Sequence, residues 1–260
     1  MSAPALETRD LTIRFGGHVA VNAVSTAFRT GELTAIVGPN GAGKTTYFNL
    51  ISGQLPATSG AILLDGEDIT GLGPAARAQK GIGRAFQITS LFPNLTVHEN
   101  VRLAVQARSR RAAHLWSLWS DHREWIARAD RALEEVNLVH QRGTLAAALP
   151  HGDKRKLEVA IMMALEPRVF MFDEPTAGMS VDEVPVILDL IARLKARGDK
   201  TILLVEHKMD VVRSLADRIV VLLNGVLSAD GDPATVTASA IVREAYLGQS
   251  PAASAGGGHG

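Results

Sequence analysis

The sequence LTAIVGPNGAGKTT, residues 33–46, joins a mostly apolar run to a glycine-rich loop that ends in Lys44 and Thr45. Residues 33–37 form a short and largely apolar run, which is typical of a strand that is covered on both faces. The loop matches the pattern G-x-x-x-x-G-K-[ST], and a helical pattern follows it directly. A buried strand, this loop and a helix in that order predict a site where backbone N–H groups surround a phosphate.

Phosphate chemistry explains the residue types in this loop. Glycines allow the backbone N–H groups to curl around a β-phosphate, and Lys44 supplies a cation for the β- and γ-oxygens. The Thr45 hydroxyl completes the shell of a Mg²⁺ ion. We therefore predict that a nucleotide and Mg²⁺ bind through Gly38, Pro39, Asn40, Gly41, Ala42, Gly43, Lys44, Thr45 and Thr46. GTPases, kinases, motors and transporters share such loops, so the loop alone does not decide among them.

Composition narrows the class of protein. The chain has 260 residues, enough for one large domain or two closely packed lobes. Lys and Arg total 27, as do Asp and Glu, and this balance disfavours a general nucleic-acid binder. Without cysteine the chain has no disulfide and no thiolate metal site. No signal peptide is evident, and no apolar run approaches the ~18 residues that span a bilayer. Any membrane part is therefore expected to come from a partner.

Three further apolar runs predict buried strands, at residues 169–172, 202–205 and 219–223. Helical patterns alternate with the strands. They cover residues 45–52, 154–166, 184–197 and 209–215. Such alternation predicts an α/β fold with a mostly parallel core sheet.

The remaining segments have different patterns. Residues 11–15, 20–28 and 60–64 predict antiparallel strands near the N-terminus. Residues 95–148 have mostly helical patterns and contain all three tryptophans. We therefore expect one domain over residues 5–248, with a helical subdomain inserted at about residues 95–160. The glycine-rich end, residues 249–260, is predicted to be a disordered tail.

Carboxylates and a histidine follow two of the predicted strands. VFMFDEPT, residues 169–176, ends a strand with Asp173 and Glu174. Asp173 is a candidate for the Mg²⁺ shell, and Glu174 for orienting a water beside the γ-phosphate. His207 follows ILLVE at the ligand-binding edge of a parallel sheet, where its ring can donate to that phosphate. A solvated acidic pair and a structural histidine are the alternatives.

Gln87 and the segment LPHGDKRKLEVA, residues 149–160, are further candidates. Gln87 lies between the core strands and the helical region, where it can contact Mg²⁺ or water. The segment predicts a loop that opens onto a helix with Asp153 as its N-cap. A helix start beside a glycine favours a phosphate, but Pro150 has neither a hydroxyl nor an N–H and Asp153 is negative.

GPNGAGKTT, Gln87, VFMFDEPT and LLVEH together resemble the motifs of ATP-binding subunits of ABC transporters, over about residues 5–248. LPHGD falls where that family carries its signature loop, commonly LSGGQ. The resemblance implies a P-loop ATPase with an N-terminal antiparallel β subdomain and an inserted helical subdomain. It also implies a head-to-tail pair of subunits, each ATP lying between one P-loop and the partner's signature loop. The signature residues Pro150, His151, Gly152 and Asp153 then contact the ATP of the partner.

The resemblance also implies roles and partners. The resemblance assigns catalytic roles to Lys44, Glu174 and His207. It assigns the binding of Mg²⁺ to Thr45, Gln87 and Asp173. Phe15 falls where the family has an aromatic residue that stacks on adenine. The partners are a second ATPase subunit, two membrane permease subunits and, indirectly, an extracytoplasmic solute-binding protein, with no nucleic acid. Such a subunit lies at the cytoplasmic face of the membrane.

GIGRAFQITSLFPNLTVHENV, LPHGDKRKLEVA and the ending REAYLG look like the ATPases of branched-chain amino-acid importers. Ser180 stands where most of the family has an aspartate that couples the two ATP sites, and Asp182 follows two residues later. Three other functions stay open: an importer of urea or amides, an exporter of lipid or lipopolysaccharide, and an ABC ATPase that acts on nucleic acid or ribosomes. Zinc modules, tandem cassettes and basic surfaces, which are typical of the last class, are not evident.

Overall fold

Two sheets organise the protein, whose computed structural model describes residues 4–85, 91–108 and 123–239. The first sheet is antiparallel. Its strands are β1 (Leu6–Phe15), β2 (His18–Phe28), β4 (Ser59–Leu64) and β5 (Glu67–Asp68), in the order β2-β1-β4-β5. This sheet confirms the antiparallel strands predicted near the N-terminus.

The second sheet is mostly parallel and carries the loop of residues 38–45. Its strands are β3 (Leu33–Val37), β6 (Ile82–Ala85), β7 (Val169–Asp173), β8 (Thr201–Val205), β9 (Arg218–Leu223) and β10 (Val226–Gly231). Their order is β10-β9-β3-β8-β7-β6, and only the β9–β10 pair is antiparallel. Every residue of β3, β7 and β8 is buried, which explains why their sequences are continuous apolar runs. The four strands predicted for this sheet, β3, β7, β8 and β9, are confirmed to within one residue at either end, whereas β6 and β10 were not predicted.

Helices cover both faces of the parallel sheet. They are α1 (Lys44–Ser52), α2 (Pro74–Gln79), α3 (Val97–Arg108), α4 (Arg123–Glu135), α5 (His151–Leu165), α6 (Val184–Ala196), α7 (Met209–Leu215) and α8 (Pro233–Ala238). Helices α3, α4 and α5 pack together and share one apolar core with Phe170 and Phe172 on one face of the sheet. Trp125 of α4 is buried in this core, whereas Trp116 and Trp119 lie outside the described residues.

The start of α5 differs from the prediction. The helix begins at His151 after Pro150, so the expectation that Asp153 is the N-cap and that Gly152 lies in a loop is wrong. Asp153 lies inside the first turn, where its carboxylate accepts hydrogen bonds from Gln141 at 2.7 Å and Lys156 at 2.8 Å. These side-chain partners engage the carboxylate that would otherwise cap the backbone.

None of the described helices is both long enough and apolar enough to cross a membrane.

Candidate functional site

A cleft of about 410 Å³ opens at the carboxyl edge of the parallel sheet. The loop between β3 and α1 forms its floor, Phe15 at the end of β1 forms one wall, and the ends of β7 and β8 contribute Glu174 and His207. Its lining comprises Phe15, His18, Ala20, Asn40, Gly41, Ala42, Gly43, Lys44, Thr45, Thr46, Glu174 and His207. Residues separated widely in the sequence meet here because parallel strands end at one edge.

Gly38 shows why the loop requires glycine. Its φ is +154°, and a Cβ atom at this position would lie 2.2 Å from the carbonyl oxygen of Leu222 in β9. Any side chain would therefore push the loop away from the strand that supports it. The close approach fixes the loop against the sheet.

Lys44 is buried beneath the loop. Its Nζ donates hydrogen bonds to the carbonyl oxygens of Gly38 at 2.8 Å and Pro39 at 2.9 Å. Burial lowers the pKa of Lys44, while the charges of Glu174 and Asp173 oppose that shift. A phosphate in the cleft is a stronger acceptor than the two carbonyls, because hydrogen bonds to ionised groups are about twice as strong as neutral ones.

Phe15 is half exposed beside the loop, with 49% of its surface accessible. A large aromatic ring left in solvent at the rim of a cleft is available to stack on a planar ligand. The predicted contact with adenine therefore concerns a residue that lies at the rim of the cleft.

Glu174 and His207 contact each other directly. The Nε2 atom of His207 lies 2.8 Å from Oε1 of Glu174, and both side chains are partly exposed to the cleft. The φ of Glu174 is +50°, an unusual value for a residue with a side chain, and its N–H donates to the Val205 carbonyl at 3.0 Å. Backbone strain of this kind is often found at functional sites, where the surrounding structure maintains it.

Asp173 belongs to a buried network that the sequence did not reveal. Its Oδ2 accepts a hydrogen bond from Arg84 of β6 at 2.6 Å, and both side chains are nearly inaccessible. Arg84 also donates to Asn49 at 2.6 Å and Ser52 at 2.9 Å on α1, and lies over the ring of Phe48. Burial lowers the pKa of Arg84 and raises the pKa of Asp173, while their mutual attraction opposes both shifts. The network connects α1, the helix after the phosphate loop, to the end of β7.

The donors available to a metal ion are few. Thr45 lines the cleft, Asp173 ends β7, which β8 separates from β3, and Gln87 lies outside the described residues. In the part of the chain that the structure describes, no group of three His, Cys, Asp or Glu residues is arranged to hold a metal. This sparse donor set fits Mg²⁺, which usually takes one or two protein ligands together with phosphates and water.

The signature residues 150–153 do not line this cleft. Pro150 and His151 are exposed, and Gly152 is buried beneath the carboxylate of Glu183. A Cβ on Gly152 would lie 1.7 Å from Oε1 of Glu183, whose Oε2 accepts the N–H of Ser180 at 3.0 Å. Glu183 therefore bridges the segment around Ser180 and the start of α5. The spacing S-x-x-E from Ser180 to Glu183 is a capping-box signal in the sequence that predicts this bond.

Comparison with known proteins agrees with this geometry. A family model described as ABC transporter matches residues 21–177. The chain is 41% identical over 255 residues to BraF of Pseudomonas aeruginosa, a high-affinity branched-chain amino acid transport ATP-binding protein, with 96% of this chain and 100% of BraF covered. The chain belongs to the ABC transporter family. It is an ATPase of that family, and the predicted family and fold are confirmed.

Solved structures of ABC ATPases match the same fold. The ADP conformation of MJ1267, an ATP-binding cassette of an ABC transporter, superposes with a TM-score of 0.81 at 30% identity, over 95% of this chain and 100% of that chain. A dimeric post-hydrolysis state of the ATP-binding cassette MJ0796, bound to ADP and Pi, has a TM-score of 0.75 at 25% identity, over 88% of this chain and 98% of that one. Both describe nucleotide-binding cassettes, so nucleotide binding is shared by this ABC transporter ATPase.

Proposed function

We propose that this ABC ATPase hydrolyses ATP to drive import of branched-chain or related amino acids through partner permeases. The observation that carries the proposal is the 41% identity to BraF over nearly the full length of both chains. The cleft supports it, because the phosphate loop, Glu174 and His207 line the same space.

The residues of the cleft have separate roles in binding ATP. Phe15 stacks on the adenine, and the loop N–H groups of residues 38–46 hold the phosphates. Lys44 exchanges its two carbonyl partners for phosphate oxygens. The Thr45 hydroxyl, the Asp173 carboxylate and Gln87 would hold Mg²⁺, which would supply positive charge to neutralise the phosphates.

Glu174 acts as the general base for the attacking water. In the structure Oε1 of Glu174 is 2.8 Å from Nε2 of His207, so the two side chains already face one another across the edge of the cleft. His207 holds the orientation of Glu174, and it donates to the γ-phosphate when it turns away from the carboxylate.

A second ATPase subunit completes the site. Pro150, His151, Gly152 and Asp153 lie away from the cleft of their own chain, which fits contact with the ATP of a partner subunit. The helix N-terminus at His151 offers backbone N–H groups and a positive dipole end to that phosphate. The dimeric state of MJ0796 supports this arrangement.

The permease contact is proposed at two adjoining loops. Phe92 and Leu145 are large apolar side chains with 55% and 49% of their surfaces exposed. Their loops are joined by hydrogen bonds from Ala147 N to Pro93 O at 3.0 Å and from Ala146 N to Leu95 O at 2.9 Å. Large apolar side chains that are exposed on two loops bonded to each other favour a protein contact. Through such permeases the ATPase is held at the cytoplasmic face of the membrane, and a solute-binding protein acts on it indirectly.

The role of Glu174 is tested by Glu174→Gln. We expect ATP turnover to fall about 10²–10⁴-fold, because the amide cannot accept the proton of the attacking water. ATP affinity should stay within about twofold, and an ATP-bound dimer should accumulate on gel filtration. Glu124→Gln makes the same change at an exposed carboxylate of α4 and should turn over ATP like the unmodified protein. Normal turnover by Glu174→Gln would remove Glu174 from the base role.

The cargo is tested in reconstituted vesicles that contain the ATPase with its permeases. Solute-binding protein loaded with leucine, isoleucine or valine should stimulate ATP turnover, whereas urea-loaded or amide-loaded protein should not. Stimulation only by urea or an amide would assign the chain to that importer class. Co-purification with envelope lipid carriers, or with ribosomes or DNA, would favour the exporter or the nucleic-acid alternative.

A further inference from the structure

Glu206 is a buried carboxylate that the proposed chemistry does not use. It follows β8, immediately before His207, and only 3% of its surface is accessible. Within the described ranges it takes part in no ion pair, so hydrogen bonds alone compensate its burial. A carboxyl group kept in this position without a cation must be fully engaged by donors, because an unsatisfied buried acceptor is costly.

Both oxygens of Glu206 have donors from the site. Oε1 accepts the hydroxyl of Thr176 at 2.5 Å, and Thr176 is itself buried two residues after Glu174. Oε2 accepts the backbone N–H of His207 at 2.9 Å and that of Lys208 at 3.3 Å. Glu206 therefore holds the backbone of His207 with one oxygen and the segment after Glu174 with the other.

These bonds close a ring around the two candidate catalytic side chains. His207 contacts Glu174 through its ring at 2.8 Å, Glu174 N–H donates to Val205 O at 3.0 Å, and Thr176 connects back through Glu206. The ring contains the residue with a φ of +50°, Glu174, whose backbone needs such support. Two loops that follow different strands are thereby fixed relative to one another.

We propose that Glu206 and Thr176 are positioning residues that set the distance between His207 and Glu174. The inference rests on the proposed roles of those two side chains. Glu206 does not line the cleft, and it acts through the backbone N–H groups of His207 and Lys208 and the hydroxyl of Thr176. Small displacements of a catalytic group lower the rate of the chemical step, while binding of ATP by the separate phosphate loop persists.

The test removes the Thr176 hydroxyl while keeping its shape. Thr176→Val should lower kcat at least about tenfold and change the KM for ATP by less than about twofold. Thr176→Ser restores the hydroxyl and should recover kcat to within about threefold of the unmodified protein. Each enzyme is assayed at a temperature where circular dichroism shows it folded.

Thr201→Val is the matched control. Thr201 is also buried, at the other end of β8, and its hydroxyl has no hydrogen-bond partner among the described residues. The same substitution there should leave kcat unchanged. Glu206→Gln offers a second variant, because a neutral amide oxygen accepts backbone N–H bonds more weakly than a carboxylate does. It should lower kcat with KM unchanged, even if Thr176→Val fails to fold.

The outcomes separate this proposal from the one that it rests on. Equal kcat for Thr176→Val and Thr201→Val would overturn the positioning role. A kcat as low in Thr176→Ser as in Thr176→Val would also overturn it. So would an unchanged kcat in Glu206→Gln. If Glu174→Gln abolishes turnover in the same assay, the role of Glu174 survives that result. If Glu174→Gln turns over ATP normally, the proposed catalytic roles of Glu174 and His207 are wrong, whatever Thr176→Val shows.

Discussion

The nucleotide cleft and the start of α5 hold their functional residues in different ways. Lys44 is buried beneath the cleft and Asp173 is locked to Arg84, whereas Pro150 and His151 stand exposed in the second region. The residues of the cleft are held by contacts within the chain, whereas His151 at the start of α5 is exposed to solvent. The difference supports the proposal that one chain supplies two unequal halves of ATP sites, which a second subunit is needed to complete.

The largest expected effect comes from breaking the support of the cleft. Arg84→Met removes the buried cation and leaves Asp173 uncompensated, which should lower the free energy of unfolding by about 3–5 kcal/mol. Urea denaturation followed by circular dichroism measures this change. Asp173→Asn added to Arg84→Met should recover part of the loss, because the remaining group is then neutral.

An exposed ion pair provides the control for Arg84. Arg193 on α6 pairs with Asp189, and both side chains are mostly exposed to solvent. Arg193→Met should change the free energy of unfolding by less than about 1 kcal/mol. Equal losses for Arg84→Met and Arg193→Met would show that the cleft does not depend on its buried network.

The second effect concerns the exposed half-site. Pro150→Ser adds a hydroxyl that can donate to a phosphate of the partner's ATP, and such a bond to a charged group is worth about 1.5–3 kcal/mol. In the Glu174→Gln background, ATP-dependent dimerisation measured by analytical ultracentrifugation should tighten about tenfold or more. Pro233→Ser, at the start of α8, should leave dimerisation unchanged. An unaltered dissociation constant of the dimer for Pro150→Ser would mean that a hydroxyl at this position does not contribute to dimerisation.

The smallest effect is expected in the helical region. His98 of α3 is buried, and burial lowers its pKa although the charge of Asp130 opposes the shift. Below its ordinary value of 6.5 the unfolded chain binds more protons than the folded one, so stability should fall as the pH drops from 7 towards 5. His98→Gln should make this decline shallower in thermal melts. His140→Gln, at an exposed histidine, should keep the slope of the unmodified protein.

The sequence predicted the strands well because their apolar runs are continuous. β3, β7 and β8 are wholly buried, and a strand covered on both faces leaves no choice of residue but an apolar one at most positions. It predicted the start of α5 poorly, because Asp153 forms side-chain bonds to Gln141 and Lys156 in place of a cap. The tail and Gln87 fall outside the described residues and stay predictions.

Several site residues were not recognised from the sequence because their partners are remote. Arg84 stands in the short strand IGRA, where an isolated charge carries no sign of Asp173, 89 positions away. Glu206 precedes a candidate histidine and resembles any polar residue at a strand end, until the structure brings Thr176 against it. Only the assignments that depend on a local pattern could be made without coordinates.

By itself the sequence determined the phosphate loop, the strands and the residue types at their ends, because backbone geometry and burial impose short local patterns. The tertiary structure alone decided which of those residues meet. The order of β3, β8 and β7 brings Lys44, His207 and Glu174 to one edge and leaves residues 150–153 outside the cleft. Strand order arises from packing between distant segments, and no single stretch of sequence contains that information.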